Sequence, residues 1–263
     1  MLPQKRFALE ELMDLMQDKV SVVIPVHNAE KFIKDTVDSV FGQTYENIEI
    51  ILCENNSTDS TREILEEMSD SRIKVLTLKD VNDAAGARNA GVKEADGRYI
   101  AFLDADDLWQ KDKLEKQIAF MKEKNAAFCF TGYEFADEDA KPLGKIVKVP
   151  ETISYNEALK NTTIFTSTVV FDMSALTKEQ IEMPHIKSED TALWWKLLRT
   201  GVAAYGLNEN LVYYRRPSKS LSSNKIEAIR RIWQLYRKQE HLSLAKSIAC
   251  FLGWATRAVR RRI

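Results

Sequence analysis

The sequence predicts an α/β fold, a mostly parallel central sheet flanked by helices and followed by C-terminal helices. Two observations carry this. Four apolar runs, at 20–26, 48–53, 73–78 and 98–103, alternate with segments of helical period. Each run also ends in polar residues: His27-Asn28, Glu54-Asn55-Asn56, Asn82-Asp83 and Asp104-Ala105-Asp106-Asp107. Parallel sheets bind ligands beyond the carboxyl ends of their strands, where these residues fall.

The elements follow in order. Phe7, Leu9, Leu12, Met13, Leu15 and Met16 have helical spacing and predict an N-terminal helix within 1–19. The β-branched run 20–26 reads as a buried strand. Asn28 is placed to cap a helix over 29–41 that turns Phe32, Ile33, Val37, Val40 and Phe41 to one face. Ser60 and Glu63 have capping-box spacing and open a helix to Met68. Helices are expected over 84–95 and 110–124. After Ala126 the pattern shifts to strands at 128–135, 145–149 and 168–171 with shorter connections. A helix over 191–198, short strands at 203–205 and 211–215, and helical stretches at 225–238 and 244–261 complete the chain. The organisation expected is an N-terminal helix (1–19), one catalytic domain (20–224) and basic amphipathic helices (225–263).

Composition narrows the function class. The chain has 263 residues, 44% apolar and 29% charged, which excludes a disordered or collagenous protein. Cys53, Cys129 and Cys250 are far apart, so a disulfide framework or zinc site is not expected and a reducing, cytoplasmic setting is. Residues 1–19 carry acids throughout, unlike a secretory signal, and no segment approaches the roughly 20 apolar residues of a membrane span. The net charge of −1 hides an asymmetry. Residues 225–263 hold ten basic and two acidic side chains, which leaves 28 basic and 37 acidic in the rest. A basic tail on an acidic body meets nucleic acid or anionic lipid. The acidic body argues against nucleic acid. Ile248, Phe251, Leu252, Ala255, Ala258 and Val259 at helical spacing, with Arg257, Arg260, Arg261 and Arg262, suit a helix lying in an anionic membrane surface. The alternative is that the stripe docks on the body and the arginines are solvated.

Five groups carry chemistry. Asp104, Asp106 and Asp107 repel one another unless a cation shares them, and Mg²⁺ or Mn²⁺ takes a few carboxylates plus phosphate oxygens. The competing reading is an Asp-rich turn in which Asp107 caps the next helix. The run from Glu54 to Asp59 offers carboxylate and amide partners for a base and a ribose, or simple turn chemistry. Gly86-Ala87-Arg88 at a helix start permits close approach and a phosphate contact from Arg88. Glu189-Asp190 follows Ser188: either first-turn acids behind a serine cap, or a general base held by a helix. Arg215 and Arg216 form a pair that could neutralise a diphosphate. His27, His185 and His241 show no ligand spacing, and neither G-x-G-x-x-G nor the P-loop is present.

Together these motifs resemble family 2 glycosyltransferases. The resemblance rests on Val22-Val23-Ile24-Pro25-Val26-His27-Asn28, Asn56-Ser57-Thr58-Asp59, Ala87-Arg88-Asn89, Phe102-Leu103-Asp104-Ala105-Asp106-Asp107 and Glu189-Asp190, in that order. More narrowly, Ser188 to Trp194, Ala204-Tyr205-Gly206-Leu207 and Ser220 to Lys225 are similar to bacterial enzymes of teichuronic acid and capsular polysaccharide assembly. The resemblance implies a glycosyltransferase-A fold and an inverting, metal-dependent transfer from a nucleotide-sugar donor, of UDP type. The acceptor it implies is an oligosaccharide or a polyprenyl-linked glycan, at the inner face of the cell membrane. It further implies that Pro25, Val26, His27 and Glu54 border the base, that Asp83 and Arg88 lie near base and phosphate, and that Asp104 and Ala105 lie near the ribose. Asp106 would hold the Mn²⁺ or Mg²⁺, and Asp190 with Glu189 would form the catalytic pair. Two departures stand out: Glu54-Asn55 replaces a usual pair of aspartates, and Pro217 stands where many members have histidine.

Three other functions compete. A nucleotidyltransferase would need a glycine-rich basic loop, which Pro25-Val26-His27-Asn28 is not. A nucleic-acid module would use the basic tail, and an inactive sugar-nucleotide binder would keep the cleft without turnover.

Overall fold

The computed structural model describes residues 18–161, 163–216 and 225–260. The expected N-terminal helix and Pro217 lie outside the described residues.

Strands β1 (Val20–Val26), β2 (Ile48–Asn55), β3 (Ile73–Leu78) and β4 (Tyr99–Phe102) pair in parallel in the order β3-β2-β1-β4. Beyond β4 the same sheet continues through β9 (Val170–Asp172), β6 (Phe128–Ala136), β10 (Ala204–Arg215) and β5 (Leu108–Trp109). Strands β7 (Pro142–Val147) and β8 (Thr152–Ile153) pair with β6 and β10. The antiparallel β9 sits between β4 and β6, and β10 is parallel to β6. The long strands β1, β2, β3, β6 and β10 therefore all point the same way, and their carboxyl ends form one mouth.

Both faces of the sheet are covered, which is why its strands read as continuous apolar runs. Val23, Ile51, Cys53, Ile100 and Phe102 pack to one side with α3 (Ala84–Glu94) and α6 (Glu189–Arg199). Val22, Ile24, Ile50, Leu52 and Ala101 pack to the other with α1 (Ile33–Phe41) and α4 (Lys113–Lys124). Gly91 lets α3 lie unusually close to the sheet. A Cβ there would stand 2.4 Å from Val23 Cγ1 and 2.7 Å from the Cys53 sulfur.

Several expected caps are not made. Helix α1 begins at Ile33, and Asn28 is in a left-handed conformation (φ 49°), its side chain turned to another loop. Ser60 precedes α2 (Thr61–Glu66) without a side-chain cap, and Ser188 precedes α6 in a left-handed conformation (φ 62°), also without one. The two short strands expected at 203–205 and 211–215 are one strand, β10, with register shifts at Asn210.

Lys113 is fully buried and has no carboxylate partner among the described residues. Its ammonium donates to Gln117 Oε1 (2.8 Å) and lies 3.9 Å from the Trp109 ring centroid, and burial pushes it down to about 7. The C-terminal helices α7 (Lys225–Gln234) and α8 (Leu244–Arg260), joined through a π-helical turn at Leu235–Gln239, dock on α6 and on the short helix α5 (Tyr155–Ala158) with the residues after it, where Tyr155 donates to Glu240 and Arg257 to the Lys160 carbonyl. Tyr236 stacks on Trp195 at 5.3 Å, and Glu240 accepts from Arg199 at 2.7 Å.

Candidate active site

The mouth of the parallel strands opens into a cleft of about 600 Å³ lined by Pro25, Val26, His27, Asp83, Arg88, Asp104, Ala105 and Asp106. Eight of the expected site residues thus line one cleft, and its first wall stands at the ends of β1 and β2.

Two loops form the base of this wall and are laced together. Asn28 Oδ1 accepts from the Thr58 N–H (2.8 Å), and the Asn28 N–H donates to Ser57 Oγ (3.1 Å). The Ala29 N–H donates to Thr61 Oγ1 (2.8 Å), and His27 Nδ1 lies 2.6 Å from the Asn55 carbonyl. Asparagine tolerates the left-handed turn that this lacing requires. Glu54 has a different task from the one expected of it. Its carboxylate is fully buried, accepts from the Ser57 N–H (2.7 Å) and pairs with Arg62 (2.9 Å), so it shapes the loop from behind the wall. Against its burial, these partners hold it below the usual carboxylate range. Asn55 and Asn56 line the cleft in its place.

Helix α3 supplies the opposite side. Asp83 caps it by accepting from the Gly86 N–H (2.7 Å) and also meets His185 Nδ1 at 3.0 Å. Arg88 is buried and bridges two carboxylates, Asp104 (2.5 Å) and Glu189 (3.0 Å); its Nε has no partner among the described residues. Burial opposes its charge, and Asp104, Glu189 and Asp190 together raise its pKa above normal. Glu189 is itself pushed upward by burial and by Asp190. Asn89 fixes the approach to this pair, exchanging two 2.8 Å hydrogen bonds with the Met183 backbone.

The acidic loop after β4 is held from beneath. Asp107 neither caps a helix nor faces the cleft. It is fully buried, accepts from Ser167 Oγ (2.5 Å) and from the Arg215 N–H (3.1 Å), and burial raises it well above the ordinary range. Thr36 Oγ1 donates to the Ala105 carbonyl (2.9 Å). Asp106 is left at the cleft, and burial with the adjacent Asp104 charge raises it to about 6. A crowded, desolvated carboxylate of this kind gains from a cation.

Asp190 sits in the first turn of α6, accepting from Thr166 Oγ1 (3.3 Å) and from the Thr191 N–H (2.6 Å). Arg215 and Arg216 do not act as a pair. Arg215 is 2% exposed, lies over the Phe32 ring (4.8 Å) and reaches Asp35 (3.3 Å). Arg216 lies over Phe135 at 5.1 Å, outside the cleft wall. Sequence reasoning missed Phe32, which lines the cleft because α1 starts one residue after it, and Ser167, whose contacts are 60 residues away in sequence.

Residues 21–181 match the model of glycosyl transferase family 2. The chain is 46% identical over 247 residues to TuaG of Bacillus subtilis, named as a teichuronic acid biosynthesis glycosyltransferase, covering 93% of this chain and 97% of that one. It is 41% identical to WfgD of Escherichia coli, named UDP-Glc:alpha-D-GlcNAc-diphosphoundecaprenol beta-1,3-glucosyltransferase, over 82% of this chain and 84% of that one. Among solved structures, TarS 1–349 of S. aureus in complex with UDP-GlcNAc superposes with a TM-score of 0.67 at 22% identity, over 90% of this chain and 71% of that one. The mannosyltransferase PcManGT of Pyrobaculum calidifontis, in complex with GDP-Man and Mn²⁺, gives 0.67 at 17% identity, over 90% and 69%. The fold is therefore the glycosyltransferase-A type, and the chain belongs to glycosyl transferase family 2.

Proposed function

We propose that this enzyme transfers a sugar from a UDP-sugar to a hydroxyl of a lipid-linked cell-surface glycan, with inversion at the anomeric carbon. The observation that carries the reading is the cleft in which Asp104, Asp106 and Arg88 face one space beside the Glu189-Asp190 helix start. UDP-sugar use and a diphosphoundecaprenol acceptor in the name of WfgD support the donor and acceptor classes.

Asn55, Asn56, His27 and Asp83 offer the polar contacts for base and ribose. Arg88 offers its unpartnered Nε and its charge near the diphosphate. Among the described residues no cluster of three or more acids, histidines or cysteines is arranged to hold a metal by itself. One carboxylate completed by diphosphate oxygens and water is, however, a usual magnesium or manganese shell, and the crowded Asp106 fits it, with Asp104 beside it. When bound, such an ion supplies Lewis-acid neutralisation of the leaving diphosphate. Asp190 takes the proton of the acceptor hydroxyl. That oxygen bonds to the anomeric carbon, and the electron pair of the broken glycosyl–oxygen bond leaves with UDP. Titration of UDP with and without Mn²⁺ tests the donor half: metal-dependent binding that is lost in Asp106→Ala is expected, and metal-indifferent binding contradicts it.

The same reading puts the enzyme at the cytoplasmic face of the membrane through its C-terminal helices. Helix α8 has two apolar faces. Cys250 is buried and Phe251 and Trp254 pack on the body, whereas Leu244, Ile248 and Leu252 are 58%, 46% and 60% exposed at i, i+4, i+8 spacing. A solvent-facing apolar row in a segment with ten basic and two acidic residues suits an anionic bilayer. Full-length protein should float with phosphatidylglycerol-containing vesicles, and the Ile248→Glu, Leu252→Glu double variant should stay behind. Equal flotation of the two would remove membrane docking by this face.

A further inference from the structure

One buried turn reaches both halves of the site. Thr166–Thr168 form a single 3₁₀ turn just before β9, and all three residues are buried. Strand β9 runs antiparallel to its neighbours β4 and β6. Its amino end, and the turn with it, therefore stands at the mouth, where the acidic loop leaves β4.

The turn sends its polar groups to both layers that cover the sheet. Thr166 Oγ1 donates to the Asp190 carboxylate (3.3 Å) at the start of α6. Ser167 Oγ accepts from the Asp104 N–H (3.1 Å) and donates to Asp107 (2.5 Å), so it holds both ends of the acidic loop. The Ser167 and Thr168 carbonyls accept from Trp109 Nε1 (2.8 Å) and Gln117 Nε2 (2.9 Å), which belong to the α4 side of the sheet. Lys113 donates to the Gln117 oxygen (2.8 Å) and so fixes which way that amide faces. The buried lysine, which the transfer chemistry does not use, thereby acts on the turn. Asp190 accepts its other hydrogen bond from the Thr191 N–H of its own helix. Among the described residues, Thr166 is thus the hydrogen-bond donor that ties the Asp190 carboxylate to a part of the chain outside α6.

We propose that Thr166 and Ser167 are positioning residues, the first for the base and the second for the acidic loop, and that the turn carrying both sets the spacing between them. In-line displacement needs acceptor oxygen, anomeric carbon and leaving oxygen in a row, so base and diphosphate site must keep a fixed separation. The inference rests on the transferase reading and deepens it by naming what holds its two halves in register.

The full chain is assayed for UDP release from a panel of UDP-sugars in Mn²⁺, with phenoxyundecyl diphospho-N-acetylglucosamine and with water as acceptor probes. UDP binding is titrated with and without Mn²⁺. Thr166→Val removes the hydroxyl at nearly equal volume. Its kcat should fall about tenfold or more with UDP Kd within about twofold of wild type, and Thr166→Ser should recover most of the kcat. Ser167→Ala should lose most of the tightening that Mn²⁺ gives to UDP binding, with metal-free binding within about twofold. Gln117 hydrogen-bonds neither the acidic loop nor Asp190, so Gln117→Met should lower both quantities only by displacing the turn. Thermal melts check that each variant is folded at the assay temperature, and Trp109→Phe, which removes the donor to the Ser167 carbonyl, replaces Gln117→Met if that variant is not. Unchanged kcat in Thr166→Val, or a loss that Thr166→Ser does not recover, overturns the role of Thr166. A full Mn²⁺ gain in Ser167→Ala overturns that of Ser167. A Gln117→Met effect on one quantity alone, or on neither, overturns the shared turn. Wild-type protein that releases UDP from no donor overturns the transferase reading itself.

Discussion

Replacing Asp190 by Asn should lower turnover about 10²- to 10⁴-fold, the range set by loss of a general base. The amide is nearly the same shape: its oxygen can still accept from the Thr191 N–H, and its NH2, standing where the second carboxylate oxygen was, can donate to the Thr166 hydroxyl oxygen. What disappears is the ability to take a proton. The donor cleft is lined by other residues, so UDP affinity should stay near wild type. Initial rates of UDP release in the presence of acceptor, together with a UDP titration, separate the two quantities. Near-normal turnover would remove Asp190 from the base role. Equal loss of rate and UDP affinity would recast it as a structural residue.

The second large effect belongs to Arg88. Its guanidinium is 6% exposed and spans Asp104 and Glu189, whose side chains are 26% and 21% exposed. Arg88→Met fills much of the volume but leaves two largely buried carboxylates facing each other without a cation. Breaking a buried pair from one side costs about 3–5 kcal/mol. For a domain of this size that lowers the thermal midpoint by roughly 6–20 °C. UDP binding should be lost as well, since the wall formed by α3 and the acidic loop closes through this residue. Lysine should not rescue it, because one ammonium cannot make both forked contacts. Adding Glu189→Gln to Arg88→Met should recover part of the midpoint by removing one uncompensated charge. A midpoint within about 1 °C of wild type in Arg88→Met would show that the two ion pairs contribute little.

The strands were legible because a sheet covered on both faces writes unbroken apolar runs, as in 20–26 and 48–53. The acidic loop and the α6 acids were legible because their residue types are crowded together in the chain. The supports of the site were not. Asp107 is tied to Ser167 and Arg215, 60 and 108 positions away, and such contacts leave no local pattern. Caps were misread for the same reason: Asn28 had a tertiary partner, Thr58, that outcompeted the helix end next to it. Arg215 and Arg216 look like a pair in sequence, but consecutive side chains at a strand end point to opposite sides. One therefore packs under the acidic loop against Phe32, and the other lies over Phe135. Glu54 was read as a ligand contact from its place after β2, yet the loop folds back and consumes its carboxylate through Ser57 and Arg62. The polar run Asn208-Glu209-Asn210 looked like a break between strands and is instead a bulge within β10.

Calorimetric titration of UDP into the full chain, with and without Mn²⁺, for wild type and Asp106→Ala, bears most directly on whether this cleft holds a nucleotide diphosphate. Wild type should bind one UDP, about tenfold or more tightly with Mn²⁺ than without, and Asp106→Ala should lose that metal-dependent gain. No UDP binding by the folded wild-type chain, or a gain from Mn²⁺ that survives in Asp106→Ala, would contradict it.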